Sequence, residues 1–290
     1  MMKLIRLLTV ILATLVFNHM QAAPPRIVND TIHSAVLARP MAYTVLLPRS
    51  FHADTTRTYP VLYLLHGLSD NNECWTAKGA LQLVYDRLVA SGEIGEMVIV
   101  TPTAGGRPSN VIQNGYFNIP GYKYEEYFFN ELMPQFEKKY RVKADRGHRA
   151  IAGLSMGGGG ATSYAQRHPD MFTSVYAMSA LMGIPDSGAL SKPDNTSKMG
   201  MLTQSVIDND CTRYVAESDK DQRRALKTLR WFVDCGDDDF LLDRNLEFYK
   251  AMRKASIPCQ LRVRDGSHDW EYWHTALYTA LPFAWRNYTR

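Results

Sequence analysis

Six short runs of aliphatic, β-branched and aromatic residues, at 61–65, 97–101, 150–154, 175–178, 230–235 and 260–264, punctuate this chain. Runs of this length predict strands, and those without alternation predict strands buried on both faces. Apolar residues at helical spacing lie between or after them, at 81–90, 123–140, 161–167, 243–254 and 271–286. Pro134 falls inside the 123–140 helix and must kink it or split it in two, because proline has no N–H to donate. Ahead of these, 27–33 and 41–47 predict two strands joined by 34–40, an antiparallel hairpin at the edge of the sheet. Strands alternating with helices predict a doubly wound, mostly parallel α/β sheet.

One segment breaks the rhythm. Residues 181–225 hold no clear strand and are rich in Asp, Ser, Asn and Lys. A partial cap or lid over 181–228 is the expectation. No internal repeat or interdomain linker is visible, so 23–290 reads as a single catalytic domain.

The start of the chain reads differently. Lys3 and Arg6 precede an apolar run from Leu7 to Phe17, then Ala22-Ala23, the layout of a secretory signal peptide. The run is shorter than the ~20 residues a membrane span needs. The expectation is a leader over 1–22, cleaved after Ala22, and an exported protein, periplasmic or secreted, without a membrane anchor. The 290 residues are 46% hydrophobic and 21% charged, with a formal net charge of +4 to which Lys3 and Arg6 contribute. What remains is too small and too dispersed to suggest a nucleic-acid partner.

Four cysteines in an exported chain raise the question of disulfides. Cys235 ends one expected strand and Cys259 begins the next. In neighbouring parallel strands these lie at opposite ends, too far apart to bridge. Cys74 and Cys211 could pair if 181–228 folds over the site. No Cys/His spacing suggests a metal.

The chemistry concentrates in Gly153-Leu154-Ser155-Met156-Gly157, with glycines continuing to Gly160. An apolar run enters this Gly-x-Ser-x-Gly and a helical run leaves it, the form of a nucleophile elbow on an α/β-hydrolase sheet. Each further glycine costs about 1 kcal/mol in a helix interior, so 158–160 imply close packing or room for a ligand. A serine hydroxyl needs a base, and the base an orienting carboxylate. In this fold they follow in the order Ser, acid, His. Among Asp237, Asp238 and Asp239, after the 230–235 strand, Asp239 is best placed to turn towards the sheet edge, with Asp238 second. Asp237 and Asp238 read as solvated or capping, and Asp243 as another cap. His268, just past the last strand, is the expected base. His274 reads as an exposed helix residue and His168 as part of a turn. The oxyanion donors expected are the N–H groups of Met156 and of Leu68, in Leu65-His66-Gly67-Leu68-Ser69. Trp75, Tyr116, Phe117 and Trp270 lie near these loops, and together would suit a planar acyl group or a sugar ring.

As an ordered set, 60–67, 131–134, 153–160, 236–242 and 266–273 resemble the esterase family that includes esterase D, the antigen 85 acyltransferases and the carbohydrate esterases that remove feruloyl or acetyl groups from xylan. The resemblance spans nearly the whole mature chain. It implies Ser155, Asp239 and His268 as a triad and Leu68 with Met156 as oxyanion donors, with no cofactor. It implies an ester substrate, with acylated plant-wall carbohydrate the expectation for an exported member. Feruloyl, acetyl and simple short-chain esters stay open at this point. The rivals are acyl transfer of the antigen 85 type, S-formylglutathione hydrolysis, peptide hydrolysis and a catalytically dead carbohydrate-binding protein.

Overall fold

Alternate residues of one central strand, Val61–Leu65, enter opposite cores: Val61, Tyr63 and Leu65 join one, Leu62 and Leu64 the other. All five are at most 1% exposed. Full burial of each such aliphatic side chain stabilises by about 1.5–3 kcal/mol, so a slip of one residue here would disturb both cores at once. The computed structural model describes residues 25–104, 114–185, 193 and 197–289. The expected leader over 1–22 lies outside them.

The strands are β1 (Ile27–Ser34), β2 (Arg39–Leu46), β3 (Val61–Leu65), β4 (Val98–Pro102), the two-residue pair β5 (Asn118–Ile119) and β6 (Tyr122–Lys123), β7 (Arg149–Leu154), β8 (Ser174–Met178), β9 (Arg230–Gly236) and β10 (Cys259–Arg264). Eight of them form one sheet in the order β1-β2-β4-β3-β7-β8-β9-β10. β1 and β2 are the antiparallel hairpin, β2 runs antiparallel to β4, and every pairing from β4 to β10 is parallel. β3, β4 and β8 are buried along their whole length, which is why they read as unbroken apolar runs. β10 lies at the edge and stays partly wet.

The helices are α1 (Cys74–Ala77), α2 (Leu81–Ala90), α3 (Tyr124–Tyr127), α4 (Met133–Lys139), α5 (Met156–Arg167), α6 (Lys198–Asp208), α7 (Cys211–Glu217), α8 (Lys220–Leu226), α9 (Leu242–Lys254) and α10 (Trp270–Asn287). α1, α2 and α10 supply one core, and the others supply the core on the opposite face. Between α3 and α4 the chain takes a π turn, Phe128–Leu132. Pro134, in the first turn of α4, therefore interrupts the ladder through a widened turn rather than a gap. On α4 the buried Glu137 meets Arg149, at the head of β7, through two bonds of 2.6 and 2.7 Å, and the Tyr63 hydroxyl at 2.7 Å. The arrangement is the α/β-hydrolase fold, a mostly parallel sheet with helices on both faces.

The described residues of 181–228 are largely helical. They contain α6, α7 and α8, capped by Ser197, Asp210 and Asp219, the last forming a capping box with Gln222. α7 packs against α5 and α9 in the flanking layer. Leu202, on α6, reaches the cavity beside Ser155.

The cysteine expectation is corrected in part. Cys74 is buried in the core that α10 covers, and Cys211 in the core on the other face. The sheet stands between them, and all four cysteines are free. Cys235 pairs with Val263 and Cys259 with Trp231, at opposite ends of the β9–β10 ladder as the sequence implied.

Candidate active site

β7 ends at Leu154 and α5 begins at Met156, leaving Ser155 alone at the turn with φ +52° and ψ −120°. A serine pays about 1–3 kcal/mol for such a conformation, and three backbone bonds hold it there. Its N–H donates to the Met178 carbonyl at 2.9 Å, and its own carbonyl accepts from the N–H groups of Gly159 and Leu181 at 3.1 and 2.9 Å. A Cβ on Gly157 would stand 2.5 Å from the His66 carbonyl oxygen, so only glycine lets the loop after β3 press against the elbow. A Cβ on Gly160 would meet the Tyr116 ring at 2.8 Å. The glycine run thus serves close packing.

Asp239 follows β9 and is 4% exposed. Its carboxylate accepts from the Leu241 N–H at 2.8 Å and faces His268 Nδ1 at 3.0 and 2.9 Å through its two oxygens. A carboxylate can only accept, so Nδ1 carries the imidazole proton and Nε2 is left to accept. Nε2 lies 3.0 Å from Ser155 Oγ. Burial by itself would raise the Asp239 carboxyl, but hydrogen bonds from His268, Ser179 and the Leu241 N–H outweigh it and hold the carboxyl below the usual range. Asp237 and Asp238 are exposed, and Asp237 accepts the Gly266 N–H at 3.0 Å, which ties the acid loop to the histidine loop. α9 starts at Leu242 without a side-chain cap, so neither Asp237, Asp238 nor Asp243 caps it.

Leu68 and Met156 line a cavity of about 240 Å³ together with Ser155, His268, Leu154, Leu181, Leu202, Phe240, Leu241 and Trp273. Met156 opens a helix, where a backbone N–H has no intrahelical acceptor. The cavity is smaller than the roughly 300–1,000 Å³ of sites for drug-sized ligands, and its walls are mainly apolar. It suits one acyl group beside a reactive hydroxyl.

The aromatic expectations divide. Trp75 and Tyr116 are fully buried and do not line the cavity. The Trp75 indole donates to the Leu65 carbonyl at 3.3 Å. The Tyr116 hydroxyl bonds the His66 backbone, accepting from its N–H at 2.8 Å and donating to its carbonyl at 2.9 Å, so it braces the loop that carries Leu68. Phe117 is buried in the core. Trp270 is half-buried and packs edge-on against Trp75 and Trp273, again outside the cavity lining. Trp273 and Phe240 are the rings that do line it. His274 is half-buried and its Nδ1 bonds the Gly79 carbonyl at 2.8 Å, contrary to an exposed reading.

Two further side chains stand at the site, and of these only His66, in the motif of the oxyanion loop, had a signal in the sequence. The fully buried Ser179 follows β8 with φ +44°, and its hydroxyl helps to lower the Asp239 carboxyl. His66 is fully buried beneath the elbow. Its Nε2 accepts from the Ala104 N–H at 3.0 Å, so Nδ1 donates to the Gly67 carbonyl at 2.7 Å. Burial pushes its pKa down to about 4 and keeps the ring neutral. Among the described residues no His, Cys, Asp and Glu cluster could hold a metal ion, and no helix is long and apolar enough to cross a membrane.

This geometry can run acyl transfer: a hydroxyl in reach of an imidazole, an imidazole oriented by a carboxylate, and an adjoining cavity lined by Leu68 and Met156. Known esterases are similar to this chain. A ferulic acid esterase of known structure is 60% identical, with a TM-score of 0.87, over 90% of this chain and 97% of its own. The endo-1,4-beta-xylanase/feruloyl esterase of Xylanibacter ruminicola is 36% identical over 39% of this chain, which spans only 15% of that protein. The acetyl esterase of Caldicellulosiruptor saccharolyticus is 24% identical over 89% of this chain and 97% of its own length. The family described as "Putative esterase" matches residues 34–284. The chain belongs to that esterase family and is a carboxylic ester hydrolase of the serine hydrolase class.

Proposed function

We propose that this esterase removes feruloyl groups from plant-wall carbohydrates through a serine acyl-enzyme. The observation that carries the reading is the line Asp239–His268–Ser155 opening into a 240 Å³ cavity walled by Leu202, Phe240, Leu241 and Trp273. Ser155 Oγ attacks the ester carbonyl and its proton passes to His268 Nε2. The N–H groups of Leu68 and Met156 hold the oxyanion, where loss of one such donor typically costs roughly 10²–10³ in rate. The bond to the alcohol oxygen breaks, and His268 returns the proton to that oxygen. Water then attacks the acyl-enzyme, gives a proton to His268 and releases the acid, and Ser155 recovers its own.

The 60% identical ferulic acid esterase supports a feruloyl group. The acetyl esterase relative favours acetate as the second reading, but an acetyl group would leave most of the cavity empty. Parallel kcat/KM measurements on methyl ferulate, acetylated xylan and 4-nitrophenyl acetate separate the two. Methyl ferulate is the expected best substrate, and Ser155→Ala should abolish its turnover without unfolding the protein. Preference for acetylated xylan overturns the feruloyl reading, full activity of Ser155→Ala overturns the mechanism, and acyl capture by an added alcohol reveals transfer. Residues 1–22 are proposed as the export leader, tested by fractionating cells that express the chain with and without them.

A further inference from the structure

A second cavity, of about 450 Å³, opens beside the first and shares Leu68 and Asp70 with it. Its walls differ in kind. Ser69, Asp70, Asn71, Glu73 and Lys78 bring a hydroxyl, two carboxylates, an amide and an ammonium to one groove. Lys78 Nζ donates to Asp70 Oδ1 at 2.5 Å and lies 5.6 Å from the centre of the Trp270 ring. Trp270 begins the helix that follows the His268 loop. The groove is thus bounded by the oxyanion loop, and its Lys78 wall stands against the first residue of the helix after the His268 loop.

That position is where the leaving alcohol belongs, because His268 must deliver a proton to its oxygen. We propose that the groove is the subsite for a polyhydroxylated leaving alcohol, a sugar unit of an oligosaccharide, while the apolar cavity takes the acyl group. The inference rests on the esterase reading above. Sugar hydroxyls both donate and accept, and Asp70, Asn71 and Glu73 can accept from them while Asn71 and Lys78 donate. A phenyl ring would strip water from these groups without replacing their hydrogen bonds. Two carboxylates against one ammonium also repel an anionic leaving group such as a glutathione thiol.

The test compares a feruloylated oligosaccharide with methyl ferulate, which carries the same acyl group on a minimal alcohol. In the wild type the sugar ester should have the higher kcat/KM. Glu73→Ala and Lys78→Ala should each lower the ratio of the two values by about tenfold, the loss of a hydrogen bond to a charged group, through KM for the sugar ester. Circular dichroism confirms folding of each variant. A ratio that neither variant moves overturns the groove. A second measurement does not need ferulate: acyl-free oligosaccharide should inhibit 4-nitrophenyl acetate hydrolysis, and the same variants should relieve that inhibition. Inhibition without feruloyl turnover would sink the feruloyl reading and keep the groove. Feruloyl turnover without inhibition or ratio change would do the reverse, and no hydrolysis of any ester would sink both.

Discussion

The indole Nε1–H of Trp273 donates to Ser179 Oγ at 3.1 Å, and the Ser179 hydroxyl helps to hold the Asp239 carboxyl below its usual range. The same indole meets the His268 ring edge-on, 4.9 Å between centres and 89° between planes. One side chain therefore touches the cavity, the base and the support of the acid. Ser179→Ala removes a hydroxyl that helps to hold the Asp239 carboxyl down and that accepts the Trp273 indole N–H. We expect kcat to fall about tenfold or more with KM little changed. A full kcat would refute a positioning role.

Neighbouring aspartates give a sharp contrast. Asp239 faces His268 through both oxygens, whereas Asp238 is exposed. Asp239→Asn should cost on the order of 10⁴ in kcat, as loss of the orienting carboxylate does in the serine protease triad. Asp238→Asn should stay within about twofold, as surface substitutions generally do. Steady-state kinetics on one ester decide the matter, and equal losses would remove Asp239 from its place.

The buried His66 makes stability depend on pH. Its folded pKa is about 4 against an ordinary 6.5, so the unfolded chain takes up a proton that the native state refuses. The contribution is complete above about pH 6.5 and is lost as pH falls from there towards 4, reaching about 3 kcal/mol. Asp239, whose carboxyl is depressed, acts in the same direction but only below its ordinary 3.8. Denaturant unfolding at pH 7 and 4.5 should show a loss that His66→Gln flattens. Equal slopes in the two proteins would show that the ring is not held neutral.

Glu137 and Arg149 form a buried pair whose halves are unequal in their need. Arg149→Ala leaves the carboxylate, 4% exposed, with only the Tyr63 hydroxyl. Stranding a buried charge costs about 3–5 kcal/mol, a fall of about 10 °C in Tm. The double substitution to methionine at both positions should lose less than the single change. Calorimetry on the three proteins checks this, and a Tm within about 1 °C of wild type for Arg149→Ala would contradict it.

What the sequence disclosed followed from periodicity and order. β3, β4 and β8 are buried on both faces and could be read as unbroken runs. That Ser155, Asp239 and His268 meet could be expected because each follows a strand in the expected order. Ser179 also follows a strand, yet its role depends on which way a hydroxyl turns at φ +44°, and nothing in Met178-Ser179-Ala180 encodes that. Trp75 and Tyr116 lie next to the right loops in sequence, but proximity along the chain does not say whether a ring faces the cavity or the layer beneath. α6, α7 and α8 were hidden by a polar composition, although the Asp219–Gln222 capping box was a usable signal. The Cys74–Cys211 pairing failed because sequence separation carries no record of which side of the sheet a residue occupies.

The ladder between β9 and β10 sets a manufacturing tolerance for the chemistry. Gly236 sits opposite Arg264 in that register. Asp239 and His268 each stand a few residues beyond, on loops joined by the Asp237–Gly266 bond. A slip of one residue between the strands moves one loop by about 3.3 Å, farther than the 2.9 Å that separates His268 Nδ1 from Asp239 Oδ2. Insertions within either strand are therefore incompatible with turnover, while the outer faces of α9 and α10 are free to drift. In the proposed groove, substrate preference can change without recalibrating the reacting atoms.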